Sequence, residues 1–226
     1  MNTAVVTGVS SGIGKEIAKA LLDEGYFVYG LSRTPMEFKK NYEHILIDLT
    51  NAKAIENLPK LKCNLLINAA GIGYFQPLET MSFAQIEKLI DLNLKAPILL
   101  SNKLLRSLRE NEGVIINLSS IEATKSSRFS SVYSATKSGL TAFSNALFEE
   151  VRKQNIKCTT IHLGMTKTNF FNKLNFECSD DKLCSLEAHS IAKFIIDIIK
   201  LPKQMVANEI TLQPQRVGIK KKQKNY

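Results

Sequence analysis

The chain lacks any apolar run long enough to cross a membrane, and no basic segment precedes its first apolar stretch. A membrane span needs about 20 consecutive apolar residues, and a secretory leader opens with positive charge ahead of its apolar core. Here Met1-Asn2-Thr3 leads straight into Ala4-Val5-Val6. No membrane association is expected, and the expected location is cytoplasmic. Cysteine is sparse and scattered: Cys63, Cys158, Cys178 and Cys184 form no C-x-x-C pair and do not group with His44, His162 or His189. That spacing argues against a metal site and against a disulfide framework. No metal is expected, and the thiols are read as reduced and structural. Repeats, linkers and low-complexity stretches are missing ahead of the last dozen residues.

Positive charge is in excess, a formal +9, and Lys220, Lys221, Lys222 and Lys224 carry four of those charges. The rest is spread along the chain without the aromatic interleaving of a single-strand nucleic-acid platform. No nucleic-acid partner is expected. Residues 215–226 are read as a solvated, mobile basic tail following one domain at 1–214. A chain of 226 residues with 44% hydrophobic content has enough material for a single α/β domain with a large core.

Short β-branched runs alternate with helical patterns from end to end. The strand candidates are Ala4–Thr7, Phe27–Leu31, Ile45–Ile47, Leu65–Asn68, Val114–Leu118, Lys157–His162 and Glu209–Leu212. Amphipathic stretches lie between them at Ile13–Glu24, Phe83–Arg109, Ser131–Gln154 and Leu186–Leu201. Strands spaced by helices make βαβ units, which need a parallel sheet covered on both faces. Several of these strands are apolar without alternation, as burial on both faces demands. The fold class expected is therefore α/β, a Rossmann-like doubly wound parallel sheet of about seven strands with helices on both faces.

The first strand candidate runs into Thr7-Gly8-Val9-Ser10-Ser11-Gly12-Ile13-Gly14 and a helix. Glycine tolerates positive φ and close backbone approach, so phosphate oxygens can reach the amides of a helix N-terminus at such a turn. About twenty residues further on, a dinucleotide site usually carries an acid for the ribose 2′-hydroxyl. This chain has Ser32-Arg33 there. Arg33 can pair bidentately with a 2′-phosphate, so NADP(H) is expected in preference to NAD(H). Further along stand Asp48-Leu49, Asn68-Ala69-Ala70-Gly71, Asn93, Ser120, Tyr133-Ser-Ala-Thr-Lys137, and Gly164 with Thr168. No one of these is decisive alone. In this order they are hard to explain except as a nucleotide site joined to a proton-transfer apparatus.

With these landmarks the chain resembles the short-chain dehydrogenase/reductase family in its compact, single-domain form, from roughly Thr3 to Gln213. The resemblance implies an oxidoreductase that interconverts a small carbonyl compound and its alcohol by hydride transfer. The cofactor site it implies comprises Gly8, Ser10, Ser11, Gly12, Ile13, Gly14, Arg33, Asp48 and Leu49 near the adenine, Asn68–Gly71, and Gly164, Thr166 and Thr168, with Tyr133 and Lys137 reaching the cofactor too. Asn68 is either part of that site or a structural strand-end residue, and Thr168 can also cap the short helix after it. The family's proline is Leu163 here, which bears on the placement of Thr168. The alternative is a non-catalytic NADP(H)-binding sensor or interaction module on the same fold.

The catalytic set implied is Asn93, Ser120, Tyr133 and Lys137. Tyr133 and Lys137, four apart on a helix, share a face. A phenol of pKa near 10 is a poor base at neutral pH, but a nearby ammonium and a cationic nicotinamide favour the phenolate. Lowering that pKa to about 7 takes roughly 4 kcal/mol. Tyr133 is expected to act as general acid in reduction and general base in oxidation. Ser120, thirteen residues before it, is expected to polarise the substrate oxygen; Ser119 is its near neighbour. Asn93 is expected to bend its helix and hold a water that relays protons to Lys137.

Between Asn169 and Ser185, Phe170, Phe171, Leu174 and Phe176 either line an apolar substrate pocket or pack a small lid, with Tyr74, Phe75 and Met165 adding to the wall. Glu122 either meets a polar or cationic substrate group or faces solvent. The ending Asn208–Pro214 is similar to NADP-dependent members acting on small hydroxy acids and other modest carbonyl compounds. The apolar surplus on Phe83–Arg109 and Ser131–Gln154, with the pairing these helices make in the family, implies a homodimer or homotetramer.

Overall fold

The computed structural model describes residues 2–38 and 40–222. Seven strands form one parallel sheet: β1 Thr3–Thr7, β2 Phe27–Ser32, β3 Tyr42–Leu46, β4 Leu65–Asn68, β5 Val114–Ser120, β6 Lys157–Leu163 and β10 Glu209–Leu212. Four short strands lie outside it: β7 Thr166–Lys167, β8 Phe176–Cys178, β9 Leu186–Glu187 and β11 Ile219–Lys221. The helices are α1 Gly12–Asp23, α2 Ala52–Glu56, α3 Phe83–Ile90, α4 Ala96–Glu110, α5 Glu122–Lys125, α6 Ser131–Val151 and α7 Ala188–Ile199. The strand order is β10-β6-β5-β4-β1-β2-β3. The chain builds outward from β1 to β3, then restarts at β4 on the other side of β1. This reversal opens a crevice at the carboxyl ends of β1 and β4, where doubly wound sheets bind ligands.

Both faces are covered, so successive residues of one strand feed two cores. In β1, Val5 packs with Leu100, Leu104, Leu108 and Leu147 of α4 and α6. Its neighbours Ala4 and Val6 pack with Ile17, Leu21, Ile191 and Ile195 of α1 and α7. Among the described residues, no helix is long and apolar enough to cross a membrane.

Three departures from the sequence reading have physical causes. The third strand lies at Tyr42–Leu46 rather than Ile45–Ile47. Its polar residues sit on the sheet's edge, where alternation is not required, and Tyr42 lies across Gly30, which leaves no room for a Cβ there. The stretch Phe83–Arg109 is not one helix: a π-turn at Asp91–Lys95 separates α3 from α4. The expectation of a solvated, mobile basic tail is corrected for residues 219–222. Strand β11 pairs antiparallel with β8, Lys220 bonds to Asp180 at 2.9 Å, and Lys222 donates to the carbonyl oxygens of Phe171 and Asn172. Carbonyls and carboxylates of the segment after β6 give these lysines partners that no local pattern reveals. Lys224 lies outside the described residues.

Candidate active site

The glycine turn is shaped by contacts as well as by φ. Gly8 and Gly12 have φ of 74° and 57°, the left-handed region that favours glycine. A Cβ on Gly14 would lie 2.5 Å from the carbonyl oxygen of Gly8, so α1 can approach β1 only with glycine there. Ser11 stands at the N-cap of α1 but makes no capping bond, and the first turn carries no acid. The leading amides of α1 thus face the crevice without a carboxylate among them, as an anion site requires. Ser10 is half-buried in the turn and Ser11 exposed, while Ile13 packs against the α1/α7 core.

The end of β4 is tied to this turn by a residue the sequence reading passed over. The hydroxyl of Thr7 accepts from the amides of both Ala69 and Ala70 at 2.9 Å. Asn68 is buried and donates to Asn117 at 2.7 Å, which is the structural alternative raised for it; its Oδ1 is buried without a partner. Gly71 faces both Asn93 and Lys137: a Cβ there would lie 3.3 Å from Asn93 Oδ1 and 3.6 Å from Lys137 Nζ.

Arg33 is exposed just past β2. Its charge reaches Asp48, whose Oδ1 accepts from the amide and hydroxyl of Thr50 at 3.0 and 2.8 Å. Burial pushes that carboxyl up, but the Thr50 bonds and the Arg33 and Lys88 charges outweigh it and hold it below the usual range. Leu49 is turned into the core beside Leu31 and Ile47. Beyond β6, Thr166 is buried and donates to the Gly164 carbonyl at 3.0 Å. Thr168 accepts from the Phe170 amide at 3.3 Å as an N-cap and lies against Gly12, where a Cβ would come within 3.3 Å of it. The segments after β1 and β6 therefore meet across the crevice.

Ser120, Tyr133 and Lys137 converge here from β5 and α6. The Ser120 hydroxyl accepts from the Glu122 amide at 3.2 Å and stands near enough to the Tyr133 phenol to lower its pKa. Ser119 points the other way, into α6, donating to the Lys137 carbonyl at 3.2 Å. Adjacent strand residues face opposite sides, and this separates the two serines. Lys137 is buried, donates to the Leu118 carbonyl at 2.8 Å and lies 5.9 Å from the Tyr133 ring centre. Burial brings its ammonium down to about 8. Burial likewise pushes the Tyr133 phenol up to about 12, with Ser120 pulling down and the Glu122 charge adding to the rise. The lowered phenol expected from the sequence is therefore not a property of the polypeptide alone, because the loss of hydration and the Glu122 charge outweigh the lowering by Ser120.

Asn93 is wholly buried in the π-turn, an element that recurs at functional sites. Its side-chain amide copies a strand partner: Oδ1 accepts from the Ile72 amide and Nδ2 donates to the Ile72 carbonyl, both at 2.9 Å. A further bond reaches Thr136, one residue before Lys137. Glu122 is not free to meet a substrate. Its carboxylate accepts from the Ser127 amide and hydroxyl and from Ser130, at 2.6 to 2.9 Å. It thereby pins a loop in which Ser126 and Phe129 hold positive φ. Sequence reasoning also missed His162, fully buried between the Ser120 carbonyl at 3.1 Å and the Glu209 carboxylate at 2.8 Å. Only the pairing of β5, β6 and β10 brings these three together. Among the described residues no cluster of His, Cys, Asp and Glu is fit to hold a metal ion.

Of the residues expected to line the substrate side, Phe75 and Phe170 stand against Tyr133, with ring centres at 5.1 and 6.1 Å. Phe171 and Leu174 are buried within the lid itself. The two readings of this segment are thus divided among its residues.

Residues 2–178 match the family model described as short chain dehydrogenase. An uncharacterized oxidoreductase of Staphylococcus epidermidis is 28% identical over 225 residues, covering 93% of this chain and 96% of its own length. One from Staphylococcus aureus strain USA300 is 29% identical over 226 residues with the same coverage. Among solved structures, a 4-hydroxyisoleucine dehydrogenase complexed with NADH and succinate aligns with a TM-score of 0.82 at 27% identity, over 93% of this chain and 97% of that one. An alcohol dehydrogenase of the archaeon Thermococcus sibiricus, complexed with 5-hydroxy-NADP, shares the fold with a TM-score of 0.83 at 22% identity, over 96% and 99% of the two chains.

Proposed function

Because the chain belongs to the short-chain dehydrogenase family and is an oxidoreductase, we propose that it reduces a small carbonyl compound to its alcohol, and reverses that step, with NADP(H) as partner and Tyr133 as the acid and base. One observation carries this reading: Ser120, Tyr133 and Lys137 stand together at the crevice, with the Lys137 ammonium buried 5.9 Å from the Tyr133 ring centre. Lowering a lysine from 10.5 to about 8 costs about 3 kcal/mol at neutral pH. A module that merely sensed a nucleotide would have no use for that expense.

The crevice fits a dinucleotide. Gly8, Gly12 and Gly14 let the turn close on Ala70, Thr168 and its own backbone, and α1 starts there with no side-chain cap on its leading amides. Ser10, Ser11 and Ile13 would flank the pyrophosphate, Arg33 the 2′-phosphate and Asp48 the adenine, whereas the Leu49 side chain expected beside the ring is packed into the core. Asn68, Ala69, Ala70 and Gly71 would line one wall, and Gly164, Thr166 and Thr168 the nicotinamide side. When bound, the reduced nucleotide supplies the hydride that the carbonyl carbon takes up. Ser120 then donates a hydrogen bond to the carbonyl oxygen and polarises it. Tyr133 gives its proton to that oxygen in reduction and takes one from the alcohol in oxidation. Lys137 provides positive charge behind the Tyr133 ring, and Asn93 holds the Ile72 backbone and Thr136 in register with it.

The test is NADPH oxidation, followed by absorbance, with a panel of aldehydes and ketones. Absence of nucleotide binding in a fluorescence titration would overturn the reading. Arg33→Ala is expected to raise the KM for NADPH about tenfold or more, the value of a charge-assisted bond, with much less effect on NADH. Equal effects on both nucleotides would remove Arg33 from the site. The domain is taken as residues 1–214 with a basic extension at 215–226. The protein is expected to assemble as a homodimer or homotetramer through α4, α6 and β10, and a monomeric mass by light scattering at working concentration would refute this. The reading of the site is that of a cytoplasmic enzyme acting on a small molecule, without nucleic-acid partners.

A further inference from the structure

Five aromatic rings, that of Tyr133 among them, close on one another. Tyr133 meets Phe75 at 5.1 Å, Phe75 meets Phe176 at 5.4 Å, and Phe176 meets Phe171 at 5.7 Å. Phe171 meets Phe170 at 5.3 Å, and Phe170 returns to Tyr133 at 6.1 Å. Three of the contacts are edge-to-face and the two to Tyr133 are tilted, arrangements in which the positive edge of one ring meets the negative face of another. The backbone is shaped for this closure: a Cβ on Gly73 would collide with both Phe170 and Phe75.

Only Tyr133 brings a hydroxyl to the ring of five. Among the described residues, the cation standing over a ring of this set is Lys137, behind Tyr133 on the nucleotide side. Of the cations on and beside the lid, Lys222 is committed to the Phe171 and Asn172 carbonyls, Lys220 to Asp180 and Arg216 to Asp181. The carboxylate of Glu122 bears on the Tyr133 phenol and raises it, so its field opposes a second negative charge in the same place.

We propose that this cage sets the substrate class: a neutral carbonyl compound bearing a flat apolar group, with carboxylate-bearing keto acids excluded. The proposal rests on the reductase reading above and deepens it. Because the rings touch, a substrate enters by parting Phe170 and Phe176 from Phe75 and Tyr133, and its own apolar group replaces the ring contacts it breaks. A neutral group loses little hydration on entering. A carboxylate entering without a cation forfeits its hydration uncompensated.

Three compounds separate these properties: acetophenone, which is a ring beside a neutral carbonyl; benzoylformate, the same ring with a carboxylate; and pyruvate, a carboxylate without the ring. With NADPH, kcat/KM for acetophenone is expected to exceed that for either acid by about 100-fold or more. Phe75→Ala and Phe170→Ala should each lower it about tenfold, chiefly through KM. Benzoylformate or pyruvate reduced as well as acetophenone would overturn the substrate class and leave the reductase reading standing, as would phenylalanine variants indistinguishable from the parent. If none of the three is reduced, calorimetric titration of acetophenone into the NADP+-saturated protein decides. Binding that Phe75→Ala abolishes supports the cage and counts against the reductase reading, and absence of binding overturns the cage.

Discussion

Tyr133→Phe is expected to lower kcat for carbonyl reduction by about a thousandfold, within the range for loss of a general acid, while NADPH affinity stays within about threefold of the parent. The substitution removes one oxygen and leaves the ring, so the contacts with Phe75 and Phe170 at 5.1 and 6.1 Å persist. It also removes a buried hydroxyl that lies near Ser120, and Ser120 retains its bond from the Glu122 amide. Folding stability should therefore change little. The pH profile carries a second signature. Burial keeps the phenol protonated to about 12 in the polypeptide alone, so the reduction direction should hold its rate through neutral pH. Oxidation needs the phenolate and should climb with pH, by up to about tenfold per unit. Reduction that survives Tyr133→Phe, or an oxidation rate flat with pH, would assign the proton to another group.

Lys137→Met should move activity and stability in opposite directions. Activity is expected to fall about a hundredfold or more, because the positive charge behind the phenol is gone. Stability is expected to rise at pH 7. The sign follows from proton linkage: the lysine binds a proton up to about 8 when folded and up to 10.5 when unfolded, so the unfolded chain holds more protons between those values. The cost of the buried ammonium is fully present below about 8 and vanishes as the pH rises through 10.5. Methionine fills similar volume without charge but leaves the Leu118 carbonyl without its donor. That loss offsets about 1 kcal/mol of a gain of about 3 kcal/mol. Urea unfolding of both proteins at pH 7 and 9.5 tests this. The variant should lead at pH 7 and lose most of its lead at pH 9.5. A variant less stable at pH 7, or a gap unchanged by pH, would mean that Lys137 is held by bonds stronger than its burial.

Much of the fold was legible because a doubly covered parallel sheet writes itself locally. Strands such as Leu65–Asn68 and Glu209–Leu212 stand where continuous or β-branched runs placed them, and the helices fell where the apolar period was 3.6. The glycine turn was legible for the same reason, since positive φ at Gly8 and Gly12 and the close contact at Gly14 each need a residue without a side chain. The edge strand β3 was displaced in the reading because an edge carries no pattern of two-sided burial. The π-turn around Asn93 was invisible as such, since helical periodicity does not report a single inserted residue.

By itself, then, the sequence determined the α/β sheet and the glycine turn, and it singled out Ser120, Tyr133 and Lys137 for the proposed chemistry, because each depends on residue type and local spacing. Tertiary structure alone decided which serine faces the phenol, that Glu122 is spent on a loop, and that His162 stands between Ser120 and Glu209. It also decided that Ile219–Lys221 pairs with Phe176–Cys178 and that four phenylalanine rings close with the ring of Tyr133. These are contacts between segments far apart in the chain. They follow from strand register and from the direction in which a loop returns, and no local run of residues encodes either one.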